Sequence, residues 1–205
     1  MRLSTFVLSG AAGGVAFCAA ATTQLTVTSY DMLNGMSGTF SFFDSSYNGS
    51  GNPAVALSPL SGGVGELTDG IIATSNWNVT PAPYVGWSNR NEPILFRLAP
   101  GSLVEQIIVH YDDSNGNGGV SPPLAFHVDW GSGSMQFDVI NPPTSAPTFS
   151  VLDLPMPVSG DAITLTPIRR TQWYMLSEVQ FFGVPTPGAF ALLGIGLAAG
   201  ARRRR

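Results

Sequence analysis

The sequence predicts an all-β fold, an antiparallel β-sandwich, and three observations lead there. Turn signals built from Gly, Pro, Asn and Asp recur about every ten residues between residues 22 and 183. The apolar runs between them are short, and several alternate with polar residues at the period of a half-buried strand. No part of that region carries a helical period of useful length.

Leu25 to Tyr30 alternates and reads as a first strand. Asn34-Gly35 is a hairpin signal, and Gly38 to Phe43 is expected to answer it as a second strand. Residues 44–53 form a loop, and the glycines of 57–72 indicate tight turns rather than helix. Ile94 to Leu98 alternates, whereas Val104 to Tyr111 is apolar on nearly both faces, as a central strand requires. In the run from Leu124 to Trp130, Leu124, Phe126, Val128 and Trp130 share one face, and Ala125, His127 and Asp129 share the other. Residues 135–140, 149–154, 162–167 and 174–182 supply the remaining strands.

The two ends read differently. Met1-Arg2 followed by the apolar run Leu3 to Phe17 has the form of a signal peptide, with an A-x-A site at Ala19 to Ala21 and cleavage after Ala21. Cys18, the only cysteine, would leave with it. A lipidation site would want Gly, Ala or Ser before that cysteine, where Phe17 stands. The mature chain then has no thiol and no intramolecular disulfide.

At the other end, Val184-Pro185-Thr186-Pro187-Gly188 precedes the apolar run Ala189 to Ala201 and the block Arg202, Arg203, Arg204 and Arg205. As a helix, that run is about 20 Å long at roughly 1.5 Å per residue. This falls short of the roughly 30 Å hydrocarbon core, so the span is marginal. Arginines beside a membrane segment stay cytoplasmic, which leaves the body outside. Motif, helix and arginines in this order resemble the PEP-CTERM sorting signal, whose motif Val-Pro-Glu-Pro is matched here except for Thr186. The resemblance implies recognition and cleavage by an exosortase-type enzyme in bacteria that make exopolysaccharide. A plain single-pass tail anchor is the alternative. The expected organisation is a signal peptide at 1–21 forming a helix, a sandwich domain at 22–183, and a sorting segment with one hydrophobic helix at 184–205.

Charge narrows the partners of the body. The chain has nine arginines and no lysine, and five of the arginines lie in the end segments. The remaining four stand against all 13 acids, a formal charge of −9. Nucleic acid and anionic membrane need clustered positive charge, so the acidic body argues against both as partners. Divalent cations and neutral sugars are compatible with it.

Within the body, Leu67-Thr68-Asp69-Gly70 is followed by Trp77, Gly86-Trp87, the strands 94–98 and 104–111, and LAFHVDWGSG. The series closes on Trp173 to Val179 and Phe182-Gly183. This order resembles the discoidin, or coagulation-factor type C, family of galactose-binding-like jelly rolls over residues 62–183. The resemblance implies that Asp69 and Glu178 meet and help hold a structural Ca2+, with carbonyls near Gly65 to Thr68 completing an oxygen shell. Calcium takes six to eight oxygens, so two side chains alone do not suffice. Otherwise, Asp69 caps a turn and Glu178 is a solvated strand residue. The family's sugar sites lie in end loops, which makes Tyr84, Trp87 and Trp173 candidate carbohydrate platforms, or else core residues.

Other constellations are weaker. Residues 113–118 open like an EF-hand loop, but Leu124 stands at position twelve, and a Gly/Asn turn explains them. His110 and His127 have no partner at catalytic spacing, and no spacing singles out a carboxylate pair. No catalytic residue is assigned. The leading expectation is an exported, non-catalytic cell-surface or matrix protein that binds exopolysaccharide and is anchored transiently with its C-terminus cytoplasmic. A structural envelope protein with protein partners, and a carboxylate-dependent glycoside hydrolase, stay open as alternatives.

Overall fold

Two antiparallel sheets pack face to face in a computed structural model that describes residues 22–184. The signal-peptide and sorting assignments, Ala19, Ala21, Pro185 to Gly188 and Arg202 to Arg205 among them, lie outside the described residues, as do the two helices expected at the ends. The strands are β1 (Thr23–Leu25), β2 (Val27–Leu33), β3 (Pro59–Gly63), β4 (Val85–Ser88), β5 (Ile94–Leu98) and β6 (Leu103–Tyr111). They continue with β7 (Ala125–Asp129), β8 (Ser134–Asp138), β9 (Thr148–Ser159), β10 (Ile163–Ile168) and β11 (Trp173–Val184). One sheet runs β1-β11-β6-β9, with β4 also on β11, and the other runs β3-β2-β5-β10-β7-β8. The strand β11 continues through Val184, which pairs with Leu103, one residue past the expected domain boundary.

The alternating strands fold as their pattern demands. Ile94, Phe96 and Leu98 of β5 point into the core, as do Phe126 and Val128 of β7 and Ile107 and Val109 of β6. The strand β6 lies between β11 and β9, the central position its apolar composition calls for. Packing of the two inner faces removes these side chains from water and supplies the main driving force for the fold. Prolines 155 and 157 fall where β9 bulges away from β6, between the pairs Asp153–Gln106 and Val158–Val104. Because β9 is an edge strand, the missing N–H groups cost no ladder bond there.

Two expectations fail at the N-terminal side. Asn34-Gly35 makes no hairpin, and Gly38 to Phe43 is not a strand, carrying only an isolated Ser37–Ser41 bridge. The cause is the Asn34 side chain, which is fully buried. Its Oδ1 accepts from Gly35 N–H and Asp44 N–H, both at 2.8 Å. Its Nδ2 donates to the carbonyls of Pro53 at 2.9 Å and Val55 at 3.1 Å. One amide therefore closes two loops, and Phe42 drops into a separate aromatic cluster at the end of the sandwich. The short strands β3 and β4 were not expected; in β3, glycines 62 and 63 read as turns.

Asn34→Ala leaves buried donors and acceptors unpaired, and each such group costs about 1–3 kcal/mol. Denaturant unfolding of this variant should show a loss of about 3 kcal/mol or more. A variant as stable as the parent would mean that the amide does not hold the loops.

Candidate functional site

The strand β11 organises both regions with functional character. On one edge it pairs with β6 along most of its length; on the other, Leu176 and the residues before it pair with β4, and Phe181 to Gly183 pair with β1. Between β4 and β1 the second edge has no strand partner, and the 3-10 turn Glu66–Thr68 packs there instead. Glu178 sits in this gap. It faces outward, level with His110 of β6, yet the turn buries it almost completely.

The turn is held in place by a chain of buried polar contacts. Asp44 Oδ1 accepts from Glu66 N–H at 2.9 Å, and Asp44 Oδ2 accepts from the hydroxyl of Tyr30. Glu66 Oε1 in turn accepts from Ser45 N–H at 3.2 Å. Gly65 lets Asp44 approach, since a Cβ there would collide with Asp44 Oδ1. Burial pushes the carboxyls of Asp44 and Glu66 above their usual range, and nearby Asp69 adds to this.

The structure therefore brings the Asp69-Gly70 turn to Glu178. Glu178 Oε2 accepts from Gly70 N–H at 3.2 Å. Asp69 is exposed, and its Oδ1 caps its own turn by accepting from Ile71 N–H at 2.8 Å. Burial pushes Glu178 up to about 8, and the charge of Asp69 raises it further, against one backbone N–H that lowers it. Glu178 and Thr68 line a cavity of about 370 Å³ with Gln24, Thr26 and Gln180, and Thr68 Oγ1 is buried without a hydrogen-bond partner.

The three aromatic candidates are core residues. Trp87 is fully buried, stacks on Tyr174 at 5.5 Å and donates from Nε1 to Leu33 O at 3.0 Å. Tyr84 is buried and donates to Ser75 O at 3.0 Å. Trp173 is buried against Phe42 at 5.7 Å. None offers an open ring face for stacking on a sugar. The pairing of β4 with β11 consumes Trp87 and Trp173, and that long-range pairing leaves no local mark in the sequence.

The exposed ring at the loop end is Phe40, 40% exposed at the tip of the Ser37–Ser41 turn. It meets Trp77 at 6.4 Å and Phe42 at 6.2 Å, both edge to face, and Phe42 passes the contact to Trp173. Half-buried Trp77 rests on Gly118, where a Cβ would collide with its ring. Buried Asp112 fixes this end: its Oδ2 accepts from Trp77 N–H at 2.7 Å and its Oδ1 from the Ser114 hydroxyl at 2.6 Å. Asn76 Nδ2 donates to Asp113 O at 2.9 Å. The 113–118 segment is thus a turn packed under Trp77, with Asp113 Oδ1 accepting from Asn115 N–H. His110 Nε2 lies 3.3 Å from Gln180 Oε1, and burial lowers the imidazole below its usual range.

No protein-family model and no curated protein matches the chain. Solved structures resemble it at low identity. The family 32 CBM from C. perfringens NanJ in complex with galactose aligns at 12% identity over 58% of this chain and 82% of its own, with a TM-score of 0.40. The CBM32 of AlyQ in complex with 4,5-unsaturated mannuronic acid aligns at 14% identity over 79% and 99%, with a TM-score of 0.44. Allantoicase from Saccharomyces cerevisiae aligns at 12% identity over 80% and 74%, with a TM-score of 0.31. The assignment as an all-β sandwich rests on the two sheets themselves.

Glu178 predicts a pH dependence of stability. Its folded value near 8 stands above the ordinary 4.5, so the folded state keeps a proton that the unfolded state releases. Stability is therefore full below about 4.5 and declines as pH rises from there to about 8. Asp44, Glu66 and Asp112 act in the same direction, so the diagnostic quantity is the difference between parent and Glu178→Gln. Denaturant midpoints measured across this window should fall less steeply in the variant, and identical slopes would contradict the assignment.

Proposed function

We propose that this chain is an exported, non-catalytic, carbohydrate-binding β-sandwich that works at the cell surface or in the extracellular matrix. The observation that carries the reading is the Phe40 ring, exposed at a loop tip and backed by Trp77, Phe42 and Trp173. The core does not need this ring, and an exposed aromatic on a rigid backing offers its face to the apolar face of a sugar. The acidic body supports a neutral or cation-bridged ligand and argues against nucleic acid. The non-catalytic reading is supported by the buried acids, because Asp44, Glu66, Asp112, Asp113 and Glu178 each accept a backbone N–H and act as loop fasteners.

The terminal segments complete the proposal. Residues 1–21 would direct export. Residues 184–205 would anchor the chain transiently, C-terminus cytoplasmic, until an exosortase-like enzyme cleaves at the Val184-Pro185-Thr186-Pro187 motif.

We propose further that a structural Ca2+ binds at the turn beside Glu178, with carbonyls near Gly65 to Thr68 completing its oxygen shell. A nearly buried carboxyl must hold a proton or meet a cation, and Thr68 Oγ1 beside it lacks a partner. Glu178, Thr68 and Asp69, after release of its cap on Ile71, would hold the ion. Bound there, a cation supplies charge compensation and ties the turn to β11. Calcium at 100 times its dissociation constant should stabilise the fold by about 2.7 kcal/mol. Thermal unfolding with calcium and then with chelator checks this. No shift in the parent, or an equal shift in Glu178→Gln, would remove the ion from the proposal.

Affinity electrophoresis in gels containing neutral galactan, glucan or mannan tests the binding. Phe40→Ala should weaken retardation by about tenfold, equivalent to about 1.4 kcal/mol of stacking and burial. Retardation unchanged in Phe40→Ala would sink the platform, and none in the parent would sink sugar binding.

A further inference from the structure

Phe149 is an exposed ring that the fold does not use. It stands on the outer face of β9 with 55% of its surface in water, level with His110 of β6, and the two rings lie 5.5 Å apart. At the far end of the same cross-strand row, Glu178 is covered by the 3-10 turn, while the Phe149 end stays open. An isolated exposed phenylalanine is unremarkable, but this one separates two hollows. One, of about 540 Å³, runs from β9 to Gln136 and Asp138 of β8. The other, of about 270 Å³, lies between Phe149, His110 and Ile72. Phe149 and Thr148 line both.

The position follows from topology. The strands β8 and β9 are the outermost strands of their respective sheets, so the larger hollow lies where the sandwich does not close. Its chemistry is largely uncharged. Ser150 and Tyr111 share a hydroxyl hydrogen bond at 2.8 Å, and Thr148 adds another hydroxyl. Burial holds His110 below the usual imidazole range, so it is neutral near pH 7. Among the described residues, the one carboxylate lining either hollow is Asp138, which accepts from Gln136 Nε2 at 3.0 Å.

We propose that Phe149 and its two flanking hollows form a second saccharide groove, which takes a segment of an uncharged linear polysaccharide across the open side of the sandwich. The inference rests on the carbohydrate-binding reading above and adds a surface distinct from the Phe40 platform. An aromatic face flanked by hydroxyl and amide groups matches the alternating apolar and hydroxylated faces of a sugar chain. Asp138 disfavours a polyuronate by like-charge repulsion. A second copy of this chain is disfavoured for the same reason, since it brings a body of formal charge −9. Because a linear chain lying along this edge gains contacts with each added sugar, long chains should bind better than short oligomers.

The test compares purified parent, Phe149→Ala, Phe149→Trp and Phe40→Ala in gels of neutral galactan, glucan or mannan and of alginate. The parent should be retarded more by one of the neutral polymers than by alginate. Phe149→Ala should lose at least threefold in that retardation with an unchanged melting temperature, and Phe149→Trp should keep it. Retardation equal in parent and Phe149→Ala overturns the groove while leaving the Phe40 platform standing. Preference for alginate overturns the uncharged class. Absence of retardation in every gel overturns both readings. A dimer in sedimentation that Phe149→Ala dissolves replaces the groove with a self-association surface.

Discussion

The hydrogen bond from Glu66 N–H to the buried carboxyl of Asp44 is the contact on which the turn beside Glu178 depends. The domain contains no cysteine, so its long connections cannot be fastened covalently. Their fasteners are polar side chains turned inward onto backbone groups. Asn34 and Asp44 close the first loop, Asp44 and Glu178 seat the 66–70 turn, and Asp112 seats the 75–77 segment. A buried polar group is costly unless paired, and pairing to backbone N–H removes two penalties at once. The residual cost appears as raised acid pKa values at every one of these carboxyls.

This manner of fastening shapes what the surface can do. Because Asp112 holds Trp77 through its backbone N–H, the Trp77 ring is free to back Phe40 and is not spent on its own anchoring. Gly118 and Gly65 serve the same end by leaving out a Cβ where a ring or a carboxyl must approach. At the other end of the turn, Glu178 is buried with a single backbone donor and an unpartnered Thr68 hydroxyl beside it. Among the described residues this fastener is incomplete, as is Asp113, whose Oδ2 is buried without a hydrogen-bond partner, and an incomplete polar group is where an ion gains the most.

The strands were legible in the sequence wherever burial alternates. The β5 pattern Ile94, Phe96, Leu98 and the β7 pattern Phe126, Val128 need only local period to be read. Gly38 to Phe43 has the same surface pattern but is a loop, because Asn34, several residues away, claims Asp44 N–H. The meeting of the Asp69-Gly70 turn with Glu178 came from family resemblance, and no local property of either segment points to the other. Which aromatics are exposed was not legible at all. Trp87 and Tyr174 vanish into a stack set by the β4–β11 register, while Phe40 and Phe149 stay outside because no strand or loop covers them. Both facts are tertiary.

Native-state hydrogen exchange tests most directly the claim that side-chain fasteners make the loops part of the core. The amides of Glu66 and Trp77, bound to Asp44 and Asp112, should open only with the amides of β6 and with the same free energy. Exchange of Glu66 and Trp77 at the rate of the exposed turn at Asn115 to Gly118 would contradict the account, leaving the loops as local structures resting on the sandwich.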